Sequence, residues 1–227
     1  MNQYSFFIKS RNLFNNPPVP YEDFDTAYNY DEIVGIEKYA YNTYRHYALP
    51  YIVNPKEQTV MDIKCGKGYG ASILKAQYGF KKVIGYSNVQ ELIDECKIRH
   101  SNIHFYKDFI MSKQINADLI FSMNAFNDYD NKSALLLRLR QAVADNGTII
   151  IIQETADQEE YKRYEEILVK THGLKQVYHS DITKDVVLAV EKIADKNQIL
   201  SPRYAHFASN AHNPNYKIFS SIFKNSA

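Results

Sequence analysis

Tryptophan is absent from the 227 residues, cysteine occurs only at Cys65 and Cys96, and glycine and proline number just eight and seven. Two cysteines cannot build a disulfide framework, so a reducing cytoplasm is the expected setting and an apolar core must hold the fold. No stretch approaches the roughly 18 consecutive apolar residues of a membrane-spanning helix, so none is expected. The opening MNQYSFFIKSRN has no long apolar segment followed by small residues, so no secretory leader is expected either. An excess of one charge is also missing: 27 Lys and Arg stand against 26 Asp and Glu, a net charge of +1. A surface that grips nucleic acid along its whole face is normally basic, and no such partner is expected. Cysteine and histidine nowhere show metal-ligand spacing, so no metal is expected.

What the sequence does have is aromatic: 19 Tyr and 12 Phe. Charge is unevenly placed. Residues 21–37 carry six acids (Glu22, Asp23, Asp25, Asp31, Glu32, Glu37) and no Lys or Arg, whereas 201–227 carry Arg203, Lys217 and Lys224 and no acid. Asn15–Pro20, with three prolines, cannot continue a helix and marks a turn or linker.

From residue 31 the pattern becomes regular. Asp31 is placed to cap a helix over 32–48, ended by Pro50. Strands are predicted at Thr59–Ile63, Lys82–Tyr86, Ile103–Tyr106, Ala117–Ser122, Thr148–Ile152, Gln176–Ser180 and Asp185–Lys192. Helices are predicted at Ala71–Tyr78, Gln90–Arg99, Ser133–Ala144 and 157–172, the last stopped by Gly173, and Asp145-Asn146-Gly147 reads as a turn. Short, continuously apolar strands alternating with helices imply a parallel sheet buried on both faces. The last two strands are too close in sequence for a crossover, so they should pair antiparallel. The expected fold is a doubly wound α/β domain.

In such a sheet, ligands bind beyond the carboxyl ends of the strands. The loop there reads Val60-Met61-Asp62-Ile63-Lys64-Cys65-Gly66-Lys67-Gly68-Tyr69-Gly70, with three of the eight glycines in its last five positions. A glycine turn between a strand carrying an acid and a helix lets backbone approach a ligand closely. Asp62, Cys65, Gly66 and Gly68 match, position for position, the first motif of the class I S-adenosylmethionine-dependent methyltransferases. The chain resembles their small-molecule, secondary-metabolite branch. Val83–Ser87 with Cys96–His100, Asp108-Phe109 and Ala117–Asn124 resemble the segments that follow.

The resemblance implies a Rossmann-like, mostly parallel seven-stranded sheet with an antiparallel final hairpin. It divides the chain into an N-terminal extension or lid (1–30), a cofactor-binding domain (31–195) and a C-terminal tail near the substrate (196–227). It implies S-adenosylmethionine as cofactor and a small, aromatic or apolar metabolite as acceptor, and it leaves room for a homodimer or a methyltransferase partner. The implied cofactor residues are Asp62, Lys64, Cys65, Gly66, Gly68, Ser87, Asn88, Asp108, Phe109 and Asn124. Asp108 would accept from the adenine amino group, Phe109 would offer backbone or ring to the base, and Asn124 would bond near the methionine end.

Three positions depart from the family. Lys64 stands where the first glycine belongs; turned inward its charge opposes a sulfonium, turned outward it meets solvent or an acid. Ser87 replaces the acid that binds the ribose, giving up the stronger bond of an ionised acceptor. Ala125–Tyr129 holds no histidine where some relatives keep a base, and Asp128 there reads as a surface loop acid. Candidate catalytic groups are therefore His46, Tyr129 and His206. The departures keep alive a degenerate, non-methylating or scaffolding member. A nicotinamide-dependent oxidoreductase is disfavoured, because the glycine spacing and the ribose acid it requires are missing.

Twelve of the aromatics fall in residues 1–47 and five more in Tyr204–Phe223. Both segments lie outside the predicted sheet, so an aromatic substrate pocket closed by the two ends is expected.

Overall fold

The structure, a computed structural model, describes residues 51–112, 115–188 and 213–226. Within them seven strands form one sheet: β1 Thr59–Asp62, β2 Lys82–Ser87, β3 His104–Lys107, β4 Ala117–Met123, β5 Val143–Thr155, β6 Lys175–Asp181 and β7 Lys217–Lys224. Helices α1 Tyr69–Ala76, α2 Gln90–Arg99, α3 Lys132–Ala142 and α4 Gln158–Lys170 lie between strands. The strand order is β3-β2-β1-β4-β5-β7-β6. The first five strands pair in parallel, and β7 runs antiparallel to both β5 and β6. The Rossmann-like sheet with an antiparallel end is thus present.

Successive strand residues point to opposite faces, and here both faces are apolar. Val60, Val83, Leu119, Ile150 and Ile222 enter one core with Ile73 and Leu74 of α1. Their neighbours Met61, Ile84, Ile120, Ile151 and Phe223 enter the other, with Leu135, Leu136 and Leu139 of α3. Side-chain caps set the starts of α3 and α4: Asn131 Oδ1 accepts the Ala134 N–H at 2.9 Å, and Asp157 Oδ1 accepts the Glu160 N–H at 2.8 Å. No helix among the described residues is long and apolar enough to cross a membrane.

Two elements differ from the sequence reading. The stretch 183–188 is helical, not the start of a strand at Asp185–Lys192. Asp181 Oδ1 accepts the Thr183 N–H at 3.0 Å, Val186 N–H reaches Ile182 O at 3.1 Å, and both Ile182 and Val186 are buried. This capped turn overrides the strand preference of the valines. The partner of β6 is instead β7, inserted between β5 and β6. Lys217–Lys224, drawn above as part of a tail beside the substrate, is therefore sheet, and the sheet-bearing unit extends well past residue 195. The Asp145–Gly147 turn also joins β5: Asn146 donates to Asn225 O at 2.9 Å and Asn225 donates back to Gly147 O at 3.0 Å. The helix expected over 32–48, the whole N-terminal extension (1–30), and residues 189–192 lie outside the described residues.

β1 has β2 on one side and β4 on the other. The strand order reverses there, so the loops after β1, β2 and β4 open a crevice at the carboxyl edge.

Candidate functional site

The loop after β1 is folded by its backbone. Ile63 N–H donates to Phe121 O at 3.0 Å, Cys65 N–H to Tyr86 O at 2.9 Å, and Gly68 N–H to Cys65 O at 2.8 Å. Gly66 and Gly68 have φ of 51° and 81°, left-handed values that glycine adopts at no steric cost. Gly68 precedes α1, and a Cβ there would meet His100 Cδ2 at 2.8 Å and Cys96 Sγ at 3.1 Å. Its bareness lets α1 and α2 pack closely. The neighbouring Cys96 thiol, then burial, pushes the Cys65 thiol well up, so it stays protonated and is no nucleophile.

Above this loop lies a cavity of about 510 Å³, a size that suits a small-molecule or cofactor site. Lys64, Cys65, Gly66, Ser87, Asn88, Asn124 and Tyr129 line it, which brings seven of the candidate residues together. Asp62, Gly68, Asp108 and Phe109 do not line it. Asp62 is fully buried at the end of β1. Asp108, at φ 54°, turns Oδ1 onto its own loop, accepting from Ile110 N–H at 3.0 Å and Met111 N–H at 3.3 Å. The Phe109 ring is in the core, edge-on to Tyr86 at 5.3 Å, with Arg138 5.4 Å from its centroid, so the ring is not offered to a base. His46 and His206 lie outside the described residues.

Lys64 crosses from the end of β1 to the turn after β4. Its Nζ donates to Asn124 O at 3.2 Å and sits 2.6 Å from Asp128 Oδ1. Asp128, read from the sequence as a loop acid, is in the cavity wall. Its carbonyl also accepts from Asn88 Nδ2 at 3.5 Å. Ser87 keeps its hydroxyl at the cavity while accepting the Val89 N–H at 3.2 Å. Burial pushes the Tyr129 phenol well up, with the charges of Asp108 and Asp128 adding to it and the Phe109 backbone opposing. Held protonated, Tyr129 serves as wall and not as base.

Asn124, at φ 58°, spends its side chain inside the protein. Nδ2 donates to Glu154 Oε1 at 2.7 Å, and the Glu154 N–H donates back to Oδ1 at 2.7 Å. Tyr216 OH donates to Glu154 Oε2 at 3.0 Å, so β4, β5 and the segment entering β7 are tied below the cavity by one buried carboxylate. The sequence reading missed Glu154 and Asp128. The available signal for Glu154 was a carboxylate two residues beyond the apolar run Thr148–Ile152. Tyr216 and Phe223, expected in a lid, are buried core residues, and Phe219 stacks on Tyr161 at 5.4 Å.

Comparison with known proteins gives the class to which this crevice and its fold belong. The methyltransferase domain family matches residues 33–207, and the chain belongs to that family, whose class I members use S-adenosylmethionine. The trans-aconitate 2-methyltransferase of Acidovorax sp. strain JS42 is 21% identical over 150 residues, 65% of this chain and 58% of that protein. The chain therefore matches little more than half the length of that relative. Among solved structures, the O-methyltransferase segment of StiE superposes with a TM-score of 0.64 at 16% identity, covering 80% of this chain and 72% of that one. Geranyl diphosphate C-methyltransferase from Streptomyces coelicolor A3(2), solved with Mg2+, geranyl diphosphate and S-adenosyl-L-homocysteine, gives 0.58 at 12% identity, covering 75% and 74%. These likenesses show the shared fold.

Proposed function

We propose that the protein transfers the methyl group of S-adenosylmethionine to a small, aromatic or apolar metabolite. The observation that carries this is the cavity of about 510 Å³ built on the glycine turn at the carboxyl ends of β1, β2 and β4. In size, place and donor set it fits a nucleoside joined to an amino acid. Gly66 brings backbone to the cavity, Ser87 and Asn88 present a hydroxyl and an amide, and the Tyr129 ring closes one wall. When bound, the cofactor supplies a methyl carbon on a positively charged sulfur, open to in-line displacement.

The chain's own work is then orientation and exclusion of water. Asn124, fixed by its two bonds to Glu154, holds the turn after β4 rigid, so a ligand meets a preformed wall. An amine or an already ionised oxygen needs only this positioning, since proximity alone contributes a large share of such rate enhancements. The twelve aromatics of residues 1–47 support the aromatic or apolar acceptor class. Calorimetric titration with S-adenosylmethionine and S-adenosylhomocysteine tests the reading: micromolar binding is expected, and no heat at millimolar ligand refutes it.

A further inference from the structure

Asp128 is the one carboxylate among the described residues that line the cavity, and its side chain is 40% exposed. It ends the 3-10 turn after β4, yet its carboxylate reaches the loop after β1 through Lys64 Nζ at 2.6 Å, and its backbone carbonyl the loop after β2 through Asn88 Nδ2 at 3.5 Å. Asn88 follows Ser87, the strand-end residue that stands where a carboxylate was expected. The Ser87 hydroxyl already accepts the Val89 N–H. On the β2 side the cavity therefore offers a hydroxyl and an amide, and its ionised acceptor comes from the opposite wall.

We propose that Asp128 accepts the ribose hydroxyls of the cofactor, in place of the β2 carboxylate this chain lacks, with Lys64 as its resting counter-ion. The inference rests on the methyl-transfer reading above. The energetic order favours it. Hydrogen bonds to an ionised group are worth about tenfold to a hundredfold in an equilibrium. An exposed ion pair such as Lys64–Asp128 is worth less than about fivefold. A diol reaching Asp128 thus outbids the lysine for the carboxylate, or shares it, at little cost. The Asn88 amide meets the Asp128 backbone carbonyl, which brings residue 128 across to the loop after β2, within reach of a ligand lying at that end of the crevice.

The test is calorimetric titration of the full chain with S-adenosylhomocysteine and with its 2′-deoxy analogue. Asp128→Asn should weaken S-adenosylhomocysteine about tenfold to a hundredfold and the 2′-deoxy analogue much less. Adding Ser87→Asp to that variant should recover most of the loss. Lys64→Gln, which releases the carboxylate, should strengthen S-adenosylhomocysteine by up to about fivefold. Asp128→Asn binding within about twofold of the parent, or losing equally for both ligands, overturns the assignment of Asp128 alone. So does a Lys64→Gln variant that binds more weakly than the parent. A parent chain that binds neither S-adenosylmethionine nor S-adenosylhomocysteine overturns the methyl-transfer reading, and this assignment with it.

Discussion

Gly68→Ala separates a packing glycine from a ligand glycine. At φ 81°, any L-residue at 68 sits in the left-handed region, at a cost of about 1–2 kcal/mol. Its Cβ would also fall 2.8 Å from His100 Cδ2 and 3.1 Å from both Cys96 Sγ and Phe105 Cζ. His100 and Cys96 belong to the end of α2 and Phe105 to β3, and overpacking such a junction costs about 1–3 kcal/mol. Together the two effects predict about 2–5 kcal/mol, a fall in melting temperature on the order of 10 °C for a chain of this size. Gly79→Ala is the control. Gly79 has φ 69° but nothing within 4 Å of its would-be Cβ, so it carries the backbone strain without the crowding. Urea unfolding of both variants, read as midpoints at constant slope, isolates the crowding as their difference, about 1–3 kcal/mol. Because Gly68 does not line the cavity, the folded Gly68→Ala protein should bind S-adenosylhomocysteine as the parent does. Equal losses in the two variants would refute the packing account, and a selective loss of binding would return Gly68 to the ligand.

Three further perturbations address polar side chains that bond within the fold. Glu165 is buried, and its Oε1 accepts from His179 Nδ1 at 2.9 Å, from Gln176 Nε2 at 3.0 Å and from the Ser221 hydroxyl. Glu165→Ala leaves the buried Ser221 hydroxyl and its neighbouring donors without their acceptor and should cost about 1–3 kcal/mol by urea unfolding, with Glu165→Gln costing clearly less. Burial lowers the His100 pKa, with the Lys67 carbonyl opposing, so the folded state resists a proton that the unfolded chain takes up near about pH 6.5. Stability should therefore fall as pH drops through that value. His100→Gln should flatten the fall without abolishing it, because burial lowers His172 as well. A parent and variant with parallel profiles would refute the assignment. Asn124→Ala combines left-handed strain with two lost bonds to Glu154, whereas Asn124→Gly loses only the bonds. Alanine should be the worse of the two by about 1–2 kcal/mol in the same assay.

Signals that act within a few residues were legible in the sequence. Strand β1, the glycine turn and α2 follow from apolar runs and a left-handed glycine, and their positions in the structure match to within a residue or two, as the bounds of α2 show. Strand β7 was hidden because its reasons are distant: Lys217–Lys224 completes its ladder only with β5 and β6, tens of residues away. The aromatic lid failed at its described end for a related reason. Phe223 and Tyr216 looked like surplus beyond the last strand only while β7 was missing from the count. In the site, the glycines and Ser87 were visible, but the Lys64–Asp128 pair joins residues 64 apart, and no local pattern announces it.

The departures from the glycine motif also sort themselves by backbone. Of the motif's three glycine positions, Gly66 and Gly68 have positive φ, and Lys64 does not. A side chain at 64 therefore costs no backbone strain, while the two retained glycines stand where an L-residue would be strained. Replacing glycine at 64 also narrows the unfolded ensemble, a gain of about 0.4–1 kcal/mol. The lysine then extends across the crevice to Asp128 and the Asn124 carbonyl, joining the loops after β1 and β4. On the proposal that Asp128 takes the ribose, the lysine at the first glycine position and the serine at the β2 end meet at one residue: the two departures become one relocated carboxylate and the lysine paired with it.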